Sequence, residues 1–228
     1  MTPTAAPVAF YDLDRTILGT PTFTLFLFWA AWSDKPWRLF LVPIWLLLAL
    51  GYGLKLYDRS RFKPAAIRIF LGRDMSQARM ARLAQKFAAW RVATDVQPGA
   101  KAAIARDRAE GYRLIMATAA PEFYAREIGR VLAFDDVIAS KHQRTADGDW
   151  SPILDGENCY GPEKARQAQK WLDQQSGRPA HIRAYSDHPS DAGLFALADE
   201  AVLVGHHDKL ANLAQQHGWH FQDFRRTA

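Results

Sequence analysis

The chain has little of what would take it out of the ordinary run of globular proteins. One cysteine, Cys159, in 228 residues excludes a disulfide framework and any cysteine-based zinc site, and fits a reducing compartment. No apolar run reaches the ~20 residues that a membrane span needs. The nearest, Leu39 to Leu54, has sixteen residues without a charge and is interrupted by Pro43. Met1 to Pro7 lacks the basic start of a signal peptide, and an Asp-x-Asp follows almost at once. Hydrophobic residues at 49% and charged residues at 23% exclude a disordered or fibrous chain.

Glutamate is absent between Ile17 and Pro98. That segment holds four Lys, eight Arg and four Asp, a net charge of +8, while the rest of the chain carries −3. It also holds five of the eight Trp. Such asymmetry predicts two parts with different tasks.

Hydrophobic patterning separates the same two parts. Val8 to Tyr11 is a short apolar run that stops at Asp12 and reads as a buried parallel strand. Phe23 to Trp32 is almost wholly apolar, Ser33 to Pro36 is a turn, and Pro36 suits the first position of a new helix. Pro64 to Trp90 is amphipathic at helical spacing. Beyond Gly99, helices and strands alternate. Strands are expected at Tyr112 to Ala117, Asp136 to Ala139, Ile182 to Ser186 and Ala201 to Val204, with a hairpin within Trp150 to Asn158. Helices are expected at Ala100 to Glu110, Pro121 to Leu132, Pro162 to Gln175, Ser190 to Leu197 and Lys209 to His217. That alternation predicts an α/β fold, a parallel sheet covered by helices on both faces.

In open α/β sheets, ligands bind at the carboxyl ends of the strands. Asp12 with Asp14, Thr118, and Asp187 with Asp191 stand just past expected strands, and Lys164 opens a helix. Carboxylates suit a hard cation such as Mg²⁺; Thr and Lys suit a phosphate. Alone, Asp12-Leu13-Asp14-Arg15-Thr16 is weak evidence, because acidic residues often end strands. The ordered set is much stronger.

That set resembles the haloacid dehalogenase superfamily of phosphotransferases. Phe10 to Thr16, Thr118 to Pro121, Gly161 to Lys164 and Ser186 to Asp191 look like its four motifs, with Arg15 where Gly is commoner. The resemblance implies a Rossmann-like parallel sheet with an all-helical cap inserted after the first strand. It places the core at residues 1–16 and 99–228 and the cap at 17–98. It also implies that Asp12 attacks phosphorus, that Asp14 is the acid and then the base, and that Thr118 and Lys164 hold the phosphoryl oxygens. Asp12, Asp187 and the Asp14 carbonyl would hold Mg²⁺, with Asp191 as a ligand or a support for one. A carboxylate at position 14 favours phosphatase over dehalogenase or ion-pump chemistry.

The long stretch between motifs, 101 residues, lies between Thr16 and Thr118, against 45 between Thr118 and Lys164. Phosphoserine phosphatase-like members carry their helical cap in that place. Here it is greasy and basic-flanked, by Lys35, Arg38, Lys55, Arg59, Arg61 and Lys63, with Trp29, Trp32, Trp37 and Trp45 suited to an interface. The pattern resembles bacterial phosphatidylglycerophosphate phosphatases of this type. That implies a phosphorylated lipid substrate, an anionic membrane surface as partner, and a place on the cytoplasmic face of the inner membrane, with Arg15, Arg68 and Arg73 as candidates for headgroup contacts. The alternatives are a cytoplasmic phosphatase of small metabolites with a buried hairpin, and a membrane-bound scaffold with a dead site. Nucleic acid is not expected as a partner, because the cations interleave with aliphatic runs. His206-His207 reads as loop, Cys159 as a thiol without catalytic duty, and His188 as a neighbour of the site.

Overall fold

The computed structural model describes residues 5–73 and 75–226. The leader reading on Met1 to Pro7 lies largely outside the described residues, as does the side chain of Arg59. Six parallel strands form one sheet in the order β3 (Asp136–Ser140), β2 (Arg113–Pro121), β1 (Val8–Tyr11), β6 (Ile182–Ser186), β7 (Glu200–Val204), β8 (His220–Gln222). Every side chain of β1 is buried, as a central strand covered on both faces requires. β1 pairs with β2 on one side and β6 on the other, so the strand order reverses beside it. The crevice at such a reversal is where α/β sheets bind ligands.

Two expectations shift. β2 does not stop at Ala117 but continues through Thr118 to Pro121, and its pairing with β3 slips between those two residues. The hairpin starts earlier than Trp150: β4 (His142–Arg144) pairs antiparallel with β5 (Trp150–Leu154). The edge strand β8 is additional; three half-exposed residues give no periodicity to read.

Between β1 and the second half of the chain stand four helices: α1 (Thr22–Asp34), α2 (Val42–Gly53), α3 (Arg59–Leu71) and α4 (Gln77–Asp95). The apolar Leu39 to Leu54 run is not one helix. Pro36–Leu41 is a 3-10 segment, and α2 restarts with Pro43 in its first turn, because proline has no N–H to give to a preceding turn. The chain leaves the sheet and returns to it along one seam, where the Gly19 and Gln97 amides bond to the Asp95 and Ile17 carbonyls at 3.0 and 2.9 Å.

This helical insert shares its core with the sheet. Phe26 of α1 stacks on Tyr124 at 4.6 Å, and Phe87 of α4 meets the same ring edge-on at 5.5 Å; Tyr124 belongs to α6 (Glu122–Val131), which comes after α5 (Pro98–Ala109) and β2 in the chain. Its outer face is different. Trp32, Phe40, Leu47 and Leu56 are 71, 86, 71 and 72% exposed. Of the four tryptophans, Trp32 and Trp37 face outward, while Trp29 packs on Phe87 and Trp45 on Phe28.

His142 lies under the insert against Phe123. Its Nδ1 bonds to the Ser151 carbonyl at 3.1 Å, and its Nε2 is buried without a partner. Burial pulls the ring down to about 4, with Lys63 adding to the effect. Below its ordinary 6.5 the unfolded chain takes up a proton that the folded ring refuses, so stability falls as pH drops from 6.5 towards 4. The expected cost is about 2–3 kcal/mol near pH 4.5. Denaturant titrations at several pH values should show a shallower acid slope in His142→Gln than in the natural chain; parallel slopes would contradict this.

Candidate active site

Asp12 follows β1, and its amide bonds to the Tyr185 carbonyl of β6 at 2.9 Å, which pins it at the strand-order reversal. The segment then folds back, the Leu18 amide bonding to the Leu13 carbonyl at 2.9 Å. Within that turn Arg15 has φ +62°, a left-handed conformation that costs a non-glycine residue. Gln97 Nε2 donates to the carbonyls of Arg15 and Thr16, which fixes the turn from behind.

Asp14 points to the insert: its Oδ1 accepts the Thr22 amide at the start of α1 at 2.9 Å. Burial raises the Asp14 carboxyl, and Thr22 partly opposes that rise. Thr118 is buried in β2, with its hydroxyl accepting the Ala120 amide at 3.1 Å.

Lys164 stands in the first turn of α7 (Pro162–Asp173) and is 2% exposed. Its Nζ donates to Asp12 Oδ1 at 2.7 Å and Asp191 Oδ2 at 2.6 Å. Ser186 Oγ donates to the same Asp191 oxygen at 2.6 Å. Burial opposes charge on the ammonium, but the two carboxylates outweigh it and raise Lys164 above its ordinary value. Burial also raises Asp12; Asp191 and Asp187 add to the rise while Lys164 counters it. Asp187, just past β6, is pushed by burial up to about 6 despite His188, Lys164 and Arg15.

All six residues singled out in the sequence line one cavity of about 290 Å³: Asp12, Asp14, Thr118, Lys164, Asp187 and Asp191. Arg15 and His188 join them; Arg68 and Arg73 do not. Larger hollows of about 720 and 450 Å³ lie at Tyr52 to Arg61 and beside α7, without this grouping.

Four carboxylates, one ammonium and the Arg15 guanidinium share the cavity, still an excess of negative charge, and Asp191 Oδ1 is buried without a partner. Among the described residues no three His, Cys, Asp or Glu side chains converge on one point. A cation would rest on fewer side chains together with main-chain oxygen. An all-oxygen, carboxylate-rich donor set of that kind fits Mg²⁺.

Sequence reasoning missed Lys63. It was one of the flanking cations, but it is buried, donates to the Ala119 carbonyl at 2.6 Å, and bonds to Asn158 beside the cavity. No local pattern distinguishes a lysine that turns inward from one that faces solvent. Tyr160 and Pro21, also on the cavity wall, carry no motif.

The profile of the haloacid dehalogenase-like hydrolases matches residues 9–196. The chain belongs to that family. It is 30% identical over 194 residues to the protein CicA of Caulobacter vibrioides, covering 83% of this chain and 82% of the other. A phosphoserine phosphatase of Mycobacterium tuberculosis is 28% identical over 115 residues, half of this chain and 37% of that one. Among solved structures, a Bordetella pertussis protein of unknown function superposes with a TM-score of 0.82 at 19% identity, covering 97% of this chain and all of the other. A phospho-aspartyl intermediate analogue of phosphoserine phosphatase does so with 0.62 at 12% identity, over 99 and 96% of the two chains. At these identities the superpositions establish the fold.

This family member should depend on Lys164 for stability. Lys164→Met leaves two buried carboxylates without their counter-charge, at an expected cost of about 3–5 kcal/mol in urea unfolding. A loss below about 1 kcal/mol, typical of an exposed ion pair, would contradict the burial described here.

Proposed function

We propose that the chain is a phosphomonoester hydrolase that works through a phosphorylated Asp12. The observation that carries this reading is the Asp12–Lys164–Asp191 bridge, buried in a cavity that also presents Asp14, Thr118 and Asp187. Thr118 and Lys164 bind the phosphoryl oxygens and spread their charge. The free oxygen of Asp12 attacks phosphorus and the bond to the alcohol oxygen breaks. Asp14, biased by burial towards its protonated form, gives its proton to the departing oxygen. It then takes a proton from water as the water oxygen attacks phosphorus, the Asp12–phosphoryl bond breaks, and phosphate leaves. Mg²⁺, held by Asp12, Asp187 and the Asp14 carbonyl with Asp191 in support, would supply charge neutralisation at the phosphoryl group. The insert, residues 17–98, acts as a cap that closes the site through Thr22 and Lys63.

The substrate class best supported is a small phosphorylated metabolite, processed in the cytoplasm. Phosphoserine phosphatases stand among both the sequence relatives and the structural neighbours. The cavity of about 290 Å³ also lies at the small end of ligand pockets, ~300–1,000 Å³.

One observation favours a second reading, a lipid phosphomonoester such as phosphatidylglycerophosphate at the inner face of the membrane. Pro36–Gly53 is an 18-residue helical stretch of mean hydropathy 1.4, only 6% of it buried. Monomers rarely leave such a face to water. Lys55 and Arg61 lie exposed beside it, but Arg38 and Lys63 are spent inside the protein, Arg38 on the carbonyls of Arg68 and Ile69. The basic flank is therefore thinner than the sequence suggests.

Asp12→Asn should lower turnover about 1,000-fold or more; substantial residual activity would remove Asp12 as nucleophile. A panel of phosphoserine, phosphatidic acid and phosphatidylglycerophosphate, each with magnesium and with chelator, should show magnesium-dependent hydrolysis of the soluble ester. Flotation with anionic vesicles, together with preference for the lipid esters, would replace the first substrate class by the second.

A further inference from the structure

We propose that the mouth of the cavity holds a second anion subsite, built by Arg15 and His188, that reads a negative charge on the alcohol part of the substrate. The inference rests on the phosphatase reading and names a substrate class within it.

The cavity is polar in two different ways along its depth. Its floor carries Asp12, Asp191, Thr118 and Lys164, all buried. The rim carries Arg15 and His188, both exposed. The cation on the floor, Lys164, is committed to two carboxylates. Arg15 makes no ion pair among the described residues, although four carboxylates line the same cavity. Its guanidinium lies near enough to Asp187 to act on that carboxyl, yet makes no ion pair with it and stays open to an anion at the mouth.

The backbone supports a role for that side chain. Arg15 sits at φ +62°, where glycine would be unstrained, and the buried Gln97 holds its carbonyl at 3.0 Å. Strain held in place by a buried partner at the edge of a cavity points to use of the side chain it presents. A fold-only requirement at this turn would be met by any residue that tolerates the left-handed region.

One ring nitrogen of His188 is engaged. The Ser190 amide donates to its Nδ1 at 3.1 Å, with Ser190 Oγ 2.8 Å from the same atom. An amide can only donate, so Nδ1 accepts, and Nε2 is the ring nitrogen that carries a hydrogen. The rim consequently offers a charged fork and an N–H donor. With the phosphoryl group against Thr118 and Lys164, the leaving alcohol extends towards that rim. A carboxylate or a second phosphate ester on the alcohol fits these donors, whereas a neutral alcohol leaves them in water.

A matched pair of probes tests the subsite: 3-phosphoglycerate, whose alcohol bears a carboxylate, and glycerol 3-phosphate, which has a hydroxymethyl group there. The natural chain should prefer the first. Arg15→Gly, which relieves the turn and so should fold, should reduce the ratio of the two kcat/KM values by about 10- to 100-fold, mainly through KM for 3-phosphoglycerate. Arg15→Lys should retain part of the ratio, and His188→Gln should lower it by a smaller factor. An unchanged ratio in Arg15→Gly, including equal losses on both esters, would overturn the subsite while leaving the phosphatase reading intact. Absence of turnover on any phosphomonoester by the natural chain would overturn both.

Discussion

Three pieces of chain far apart in sequence meet at the ammonium of Lys164. Asp12 follows β1, Asp191 lies beyond β6, and Lys164 is in the first turn of α7; the contacts are 2.7 and 2.6 Å. Burying two carboxylates is tolerable only if a cation is buried with them. The reversal of strand order beside β1 supplies the crevice in which this happens. Thr118 and Asp187 reach the same crevice because their strands flank β1 on either side. The lysine therefore ties the fold to the chemistry: without it, the floor of the cavity is a set of repelling acids.

The insert is connected to that floor by polar contacts and to the sheet by a shared aromatic core. Thr22 holds Asp14 through its amide, and its hydroxyl lies 3.0 Å from the Tyr124 hydroxyl. Phe26 and Phe87 pack on Tyr124 from the insert side. Any movement of the insert relative to the sheet must disturb this cluster, and Asp14 would lose a hydrogen bond in the same step. The exposed face of Pro36–Gly53 is on the opposite side of the energetic question. It adds nothing to the core, and it leaves a surface that water disfavours.

Much of this was legible in sequence because the signals are local. The run Val8 to Tyr11 and the stop at Asp12 define β1, and alternation beyond Gly99 defines the parallel sheet. Five of the six polar residues of the cavity were legible because they follow a strand or open a helix; Thr118 was legible at the edge of its apolar run, although β2 continues past it. What escaped depends on tertiary direction. Lys63 turns inward and Arg38 folds back onto the α3 carbonyls, although both read as flanking charges. Trp29 and Trp45 pack inside while Trp32 and Trp37 do not, and composition cannot separate them. The extension of β2 through Thr118 follows from pairing with β3, which no single segment encodes.

The central claim is that Asp12 becomes covalently phosphorylated. Rapid acid quench of the natural chain with a turning-over phosphomonoester, followed by peptide mass spectrometry, tests it most directly. One added phosphoryl group on the peptide containing Asp12, absent from Asp12→Asn, is the expected result. Steady turnover with no such species at Asp12, even when Asp14→Asn slows its breakdown, would contradict the account.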